Sequence, residues 1–392
     1  MEKELYQTLD DSYQEMVDIR RYLHQYPEIS FQEVETPAYI ARYHEALGLD
    51  VKTGVGGRGV VSTLKGRKPG PTVALRADFD ALPIQDEKDV PYKSKVDGAL
   101  HGCGHDGHTA TLLVLAKALS EQAENIAGTI VFIHQHAEEH APGGAQQMID
   151  DGCLDNVDVI FGNHLWAPDP LGTIQQRSGP FMAATDHFYI DIKGQGGHGA
   201  APHTTRDSIV IGSQMVNTIQ TLVSRRVDPL ESAVVSIGSF VAENAYNVIA
   251  GTASLVGTVR TFKEDIRTQI EQELNDIVTG TAKTMGAEAA FNYERGYAPV
   301  VNDDESNRYL ASIAETVPGV ERVETREPIM AGEDFSAYLK QKKGTFFFTG
   351  AAFPDREVNY PHHHPKFDFD ERAMLIAAKT LGKAALQYKE KA

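Results

Sequence analysis

At 392 residues the chain exceeds the ~250–300 residues at which a single hydrophobic core stops growing, so two domains are expected. A formal net charge of -18 offers no basic face to a nucleic acid and disfavours an anionic membrane, and it demands local cations if the ligand is an anion. Two cysteines, Cys103 and Cys153, cannot make a disulfide framework; with no apolar run long enough for a bilayer and no apolar signal core after Met1, a cytoplasmic protein is expected.

Leu9, Tyr13, Met16, Ile19 and Leu23 have helical spacing and predict a helix from about Tyr6 to Gln25, ended by Pro27. Glu35-Thr36-Pro37 opens a second helix through Ala46. Gly54 to Gly59 reads as a turn-rich connection, Val60 to Leu64 as a strand, and Gly66 to Pro71 as punctuation. Thr72 to Ala77 suits a buried strand that delivers Asp78-Phe79-Asp80 to its C-terminal end. Thr109 to Leu119 reads as a helix, Gly128 to Ile133 as a strand ending at Glu138-Glu139, Gly143 to Asp150 as a helix, and Val157 to Phe161 as a strand ending at His164. Alternating strands and helices imply an α/β sheet, and sites in such sheets lie beyond the C-terminal strand ends.

The pattern changes near Gly179-Pro180. Strand (Asp186–Lys193), helix (Asp207–Arg226), strand (Ala233–Val241), strand (Thr252–Phe262), helix (Lys263–Met285) and strand (Glu288–Tyr293) follow in the βαββαβ order of a ferredoxin-like unit. The expectation is a mixed sheet flanked by helices, residues 1–180 and 295–392, with an inserted α+β lid domain at 181–294. Phe346 to Phe348 then reads as a buried strand and Asp370 to Lys389 as a closing helix.

His101-Gly-Cys-Gly-His-Asp-Gly-His108 brings imidazoles, a thiol and a carboxylate together. Its glycines let the backbone bend several side chains toward one point. The mixture is the ligand set of zinc and its first-row neighbours. Cys103 and His105 suit one ion; in the competing reading, His105 activates Cys103 as a nucleophile, which leaves Glu138-Glu139 and His164 without work. The adjacent carboxylates of Glu138 and Glu139 repel unless a cation or a proton sits between them. One can ligate metal while the other takes a proton from metal-bound water; the bland alternative is a solvated acidic turn. His164 is a ligand or a structural imidazole. Of His362, His363 and His364 at least one is expected to function, and spacing does not choose which. Cys153 reads as an idle thiol. Asp78 orients a ligand histidine or ligates directly, and His101 and His108 flank the loop. His198, between glycines, is an oxyanion donor or a turn residue, and Arg260 a carboxylate clamp or a surface ion pair. The glycines around His198 lack the strand and helix context of a dinucleotide or phosphate loop.

These residues resemble the aminoacylase and carboxypeptidase family of co-catalytic metallohydrolases, most closely its amidohydrolase branch with hippurate hydrolase and the plant auxin–amino acid conjugate hydrolases. The matching stretches are Leu75 to Pro83, His101 to His108, Ala137-Glu-Glu139, Gly197-His198 through Pro202, Asn247-Val-Ile, Gly257-Thr-Val-Arg260, Gly332-Glu-Asp-Phe335 and His363-His-Pro365. The resemblance implies two divalent metal ions per subunit, zinc or manganese with cobalt or nickel as alternatives, on Cys103, His105, Glu139, His164 and His363. It implies Glu138 as general base, Asp78 as the orienting carboxylate, His198 as oxyanion donor, and Asn247, Arg260 and Gly332 at the substrate. The implied reaction is hydrolysis of an N-acyl-L-amino acid by a homodimer or tetramer. Alternatives are a dipeptidase or carboxypeptidase, an N-acetyl-diaminopimelate deacetylase, and a non-catalytic carboxylate-binding protein. The chain departs from the family at Arg76, where other branches have a histidine, at Ala250, where many relatives have proline, and in the extra imidazoles His362 and His364.

Overall fold

The computed structural model describes residues 1–389 and divides into two compact units. The first comprises Met1–Phe181, Val301–Glu327 and the chain from Asp334 onward; the second comprises Met182–Val300 and Pro328–Glu333. Residues 390–392 of the expected first domain lie outside the described residues.

The expected α/β class is what the chain adopts. Among the described residues, the first unit is built on an eight-stranded mixed sheet. Its strands run, edge to edge, Asp50–Val55, Gly59–Lys65, Ala127–Gln135, Lys68–Asp78, Val159–Pro170, Lys343–Ala352, Thr173–Gln176 and Arg322–Thr325. The four central strands are mutually parallel, so their C-terminal ends share one edge. Register there sets Asp78 opposite Gln135, and Phe348 opposite His164.

Helix His105–Ser120 is apolar nearly all round, and only Lys117 and Ser120 escape burial. It packs between helix Tyr13–Gln25, helix Arg372–Gln387 and the sheet, in a core that includes Leu23, Leu75, Leu113, Phe132, Phe161, Phe347 and Leu381. Two glycines allow its first turn. Gly104 has φ +98, a left-handed conformation that side chains resist, and a Cβ on Gly107 would lie 2.5 Å from Phe369 Cζ.

Several boundaries differ from expectation. The first helix is two, Glu2–Asp11 and Tyr13–Gln25, divided at Ser12 after Asp10-Asp11, residues that favour caps over helix interiors. The turn-rich Gly54 to Gly59 belongs to an antiparallel hairpin, with strand Asp50–Val55 added before it. Strand Lys68–Asp78 begins within the expected break, and its register with Ala127–Gln135 shifts between Lys68 and Thr72. Strand Val159–Pro170 does not end near His164; pairing with Lys343–Ala352 carries it onward, so His164 lies inside the strand. Helix Asp304–Ala314 and strand Arg322–Thr325 carried no prediction.

The second unit has a four-stranded antiparallel sheet ordered Ala233–Val241, Thr252–Thr261, Ala184–Lys193, Glu288–Arg295. Alternate residues of Ala184–Lys193 are buried, including Phe188, Ile190 and Ile192. Helices Ser208–Arg225 and Glu264–Thr284 cover that face through Met215, Ile219, Ile270 and Leu274. Asp207 caps the first helix by accepting from the amides of Ile209 and Val210. The βαββαβ order and strand arrangement are those of the expected ferredoxin-like unit.

Candidate metal centre

The loop from Leu100 to Gly104 enters helix His105–Ser120 beside the C-terminal ends of the central strands, and His105 is the helix's first residue. Asp80, two residues past the Lys68–Asp78 strand, faces it. His105 Nδ1 donates to Asp80 O at 3.0 Å and lies 3.2 Å from Asp80 Oδ1. With Nδ1 as donor, the neutral ring leaves the Nε2 lone pair bare. That Nε2 is buried without a hydrogen-bond partner, 3.8 Å from Glu139 Oε1, which is likewise buried and unpartnered.

His164 is arranged in the same way. Its Nδ1 donates to Leu165 O at 2.8 Å, and its Nε2 stands 3.4 Å from Cys103 Sγ. His363 has φ +66, and its amide donates to Gly102 O at 2.8 Å. Its half-exposed side chain sets Nε2 3.3 Å from Glu139 Oε2. Cys103, His105 and Glu139 therefore present ligand atoms within 4.8 Å of one another, and so do Cys103, His164 and His362. The thiol belongs to both groups.

Charge explains why these groups fit a cation. Burial, then Glu139, Glu138 and Asp78, push the Cys103 thiol far above its usual range. Burial alone would lower His105, but Asp78, Asp80 and Glu139 outweigh it and raise the imidazole to about 10. Protons are thus held where negative charge is concentrated and buried, and a divalent ion can take their place. The unpartnered Nε2 of His105, the unpartnered Oε1 of Glu139, and the Cys103 thiol with the His164 Nε2 that faces it make a donor set that fits zinc, manganese or a related ion.

Glu138 is buried next to Glu139. Ala137 before it has φ +53, so the acidic pair leaves its strand through a left-handed turn. Asp78 stands between two imidazoles: its Oδ1 is 2.6 Å from His108 Nδ1, and its Oδ2 is 3.7 Å from His105 Nε2. The carboxylate hydrogen-bonded to His105 is that of Asp80. His108 Nε2 accepts from the Leu165 amide at 2.9 Å, so both its nitrogens are engaged. His362 Nε2 accepts from the Ala167 amide at 3.3 Å, and its Nδ1 faces Cys103 Sγ at 3.8 Å. Arg76 is a buried cation donating to Asp78, Gln135 and Asp334. His101 is buried with neither ring nitrogen hydrogen-bonded, and Cys153 is a buried free thiol.

The remaining predicted residues lie in the second unit. His198 is exposed on a short ladder with Val248, and its Nδ1 accepts from the Ala200 amide at 3.0 Å, which leaves Nε2–H as an outward donor in the neutral ring. Asn247 is exposed, and its carbonyl accepts from the Gly199 amide at 2.8 Å. Arg260 is half-buried on strand Thr252–Thr261, bonds to Val259 O and Thr258 Oγ1, and has no ion-paired carboxylate among the described residues. Gly332 has a packing reason for lacking a side chain: a Cβ there would lie 2.3 Å from Thr185 Cγ2.

Ser30 and Glu33 gave no separate signal in the sequence, and Asp80 appeared there only beside Asp78 after a strand. Their contacts join segments roughly fifty to a hundred residues apart, beyond the reach of local patterning.

Residues 74–387 match the sequence profile of peptidase family M20/M25/M40. The chain is 57% identical over 388 residues to YhaA of Bacillus subtilis (strain 168), a protein assigned as an amidohydrolase, covering 99% of this chain and 98% of that one. It is 45% identical over 305 residues to an N-acyl-L-amino acid amidohydrolase of Geobacillus stearothermophilus, covering 78% and 82% of the two chains. Its fold superposes on the crystal structure of YxeP from Bacillus subtilis, described as a dinuclear metal-binding peptidase of the M20 family, with a TM-score of 0.83, 35% identity and coverage of 96% and 98%.

Proposed function

The chain belongs to peptidase family M20/M25/M40, whose members hydrolyse amide bonds, and we propose that it releases an L-amino acid and a carboxylate from an N-acyl-L-amino acid. The observation that carries this reading is the convergence of Cys103, His105, Glu139, His164 and His363, with Nε2 of the helix-borne His105 toward Glu139 and Nε2 of the strand-borne His164 toward Cys103, beside the buried carboxylate of Glu138. These five residues would hold two divalent ions, zinc or manganese, with cobalt or nickel as alternatives. Bound there, such ions would supply a water of lowered pKa and polarise the amide carbonyl.

Glu138 would take a proton from the water that adds to the amide carbon and return it to the amine as the C–N bond breaks, acting as general base and then acid. Asp80 holds His105 so that Nε2 faces the site, and Asp78 with His108 braces the strand that carries His164. His198 donates to the developing oxyanion. Arg260 and Asn247 bind the substrate's carboxylate, and Arg260 supplies the local cation that a net charge of -18 calls for. A cytoplasmic homodimer or tetramer is part of the same proposal. Among the described residues no helix is long and apolar enough to cross a membrane.

Glu138→Gln tests the assignment, because the amide keeps the volume and loses the base. The variant should bind both ions as the wild type does and lose turnover of N-acyl amino acids by about a hundred- to ten-thousand-fold. Full turnover with metal bound would remove Glu138 from the reaction.

A further inference from the structure

The turn that presents Glu138 and Glu139 is strained. Ala137 sits at φ +53, a region disfavoured for a non-glycine residue, which persists there only when its surroundings hold it. Its holders come from a distant loop. The Ala137 amide donates to Glu33 Oε1 at 2.9 Å, and the Glu139 amide donates to Asp80 Oδ2 at 3.0 Å. Ser30 Oγ donates to that same Asp80 oxygen at 2.6 Å. The other oxygen of Asp80, and its carbonyl, face His105 Nδ1. One carboxylate thereby links the backbone of Glu139 to the ring of His105.

The loop is itself fastened. The Ser30 amide donates to Ala81 O at 3.4 Å, and the Ala81 amide to Glu28 O at 2.8 Å. The Glu28 carboxylate accepts from the amides of Val34, Glu35 and Thr36, at the start of helix Glu35–Ala46. Arg58 donates to Glu33 O. Phe31, between the two clasping residues, is also left-handed at φ +65, and its ring meets that of His136 edge-on at 6.0 Å. Ser30, Glu33 and Asp80 are all buried. Ser30 and Glu33 precede the 74–387 span that matches the family profile.

We propose that Ser30, Glu33 and Asp80 form a clasp that holds Ala137–Glu139 in its left-handed turn and locks that turn to His105. They are positioning residues: none enters the ligand set, and each acts through a residue that does or through the backbone leading to it. Support of this kind orients a ligand before the ion arrives, and its loss typically weakens metal affinity ten- to a hundred-fold. The inference rests on the metal-dependent reading above.

Ion binding to metal-stripped full-length protein, measured without substrate by competition with a chromophoric chelator, separates the possibilities. Glu33→Leu removes the acceptor for the Ala137 amide and should weaken at least one of the two ions about ten-fold or more. Glu33→Gln keeps a carbonyl acceptor and should stay within about three-fold of the wild type. Ala137→Gly lowers the cost of the left-handed turn and should restore much of the affinity in the Glu33→Leu background. Should the leucine variant fail to fold, Ser30→Ala against Ser30→Thr makes the same comparison at the other end of the clasp. A purely structural role predicts that thermal midpoints fall while both dissociation constants stay put, and that result would overturn the clasp. Wild-type protein that binds no divalent ion would instead overturn the proposed function and this inference with it.

Discussion

Two buried imidazoles meet where helix Glu35–Ala46 crosses the sheet. His44 Nε2 lies 3.0 Å from His134 Nε2, and His44 Nδ1 lies 2.8 Å from Ser62 Oγ. His134, on the strand that leads to the acidic pair, is spent on this contact. One of the facing Nε2 atoms must donate and the other accept, so the pair tolerates no second proton. Burial pushes His44 down from its ordinary 6.5 to about 4. In the unfolded chain the ring binds a proton near 6.5, and in the folded chain it does not until near 4. The folded state therefore keeps its full contribution above 6.5 and loses it as pH falls toward 4, by up to about 3 kcal/mol. In metal-free protein the thermal midpoint should drop between pH 7 and pH 5, and the drop should be smaller in His44→Gln, which has no proton to gain. An equal drop in both would assign the acid sensitivity elsewhere. Identity was readable at this scale, and partnership was not: Asp78 and Asp80 stand alike after one strand, yet only the folded chain sets Asp80 on His105 and Asp78 on His108.

At the scale of elements, one buried cation ties helix His105–Ser120 to its neighbours. Arg20 on helix Tyr13–Gln25 donates to Asp106 at 2.9 Å, to Asp368 at 3.0 Å and to Glu371 at 3.1 Å. Its guanidinium also lies 4.3 Å from the centre of the Phe369 ring. Asp106 follows His105 directly and shares its other contact with His24 Nδ1 at 2.6 Å. Burial opposes charge on Asp106, but Arg20 and His24 more than compensate and hold it well below the usual carboxylate range. Arg20→Met keeps the volume and removes the cation shared by three carboxylates, two of them, Asp106 and Asp368, buried. It should destabilise the first unit by about 3–5 kcal/mol, read as a lowered denaturation midpoint. A midpoint equal to the wild type's would show that water or rearrangement solvates those carboxylates. The periodicity of Met16, Ile19 and Leu23 revealed this helix, but the break at Ser12 escaped it, since apolar spacing carries on past a polar interruption. Strand Val159–Pro170 outran its prediction for a related reason. His164 and Trp166 are poor apolar markers, and their strand state comes from pairing with Lys343–Ala352.

For the whole molecule, the alternation of strands and helices and the later βαββαβ order made the α/β class and the inserted ferredoxin-like unit legible, because each rests on hydrophobic period and sequence order. The metal-competent side chains were legible by type, since few cores mix thiol, imidazole and carboxylate. What closes around them was not: the Ser30–Glu33 loop, the Arg76–Asp334 contact and the choice between His362 and His363 depend on contacts across the fold. The net charge of -18 adds a consequence of its own, for an anionic substrate must enter against a negative field. Raising ionic strength from about 10 to 150 mM should screen that field and raise kcat/KM for N-acyl amino acids by a few-fold; a fall would mean that local cations govern the encounter. The most direct test of metal-dependent amide hydrolysis is amine release from N-acyl amino acids and free dipeptides, with protein stripped of metal and then reloaded with manganese or zinc. The account predicts no release from stripped protein, restored cleavage of N-acyl amino acids on reloading, and weaker cleavage of dipeptides. Cleavage by fully stripped protein would contradict it.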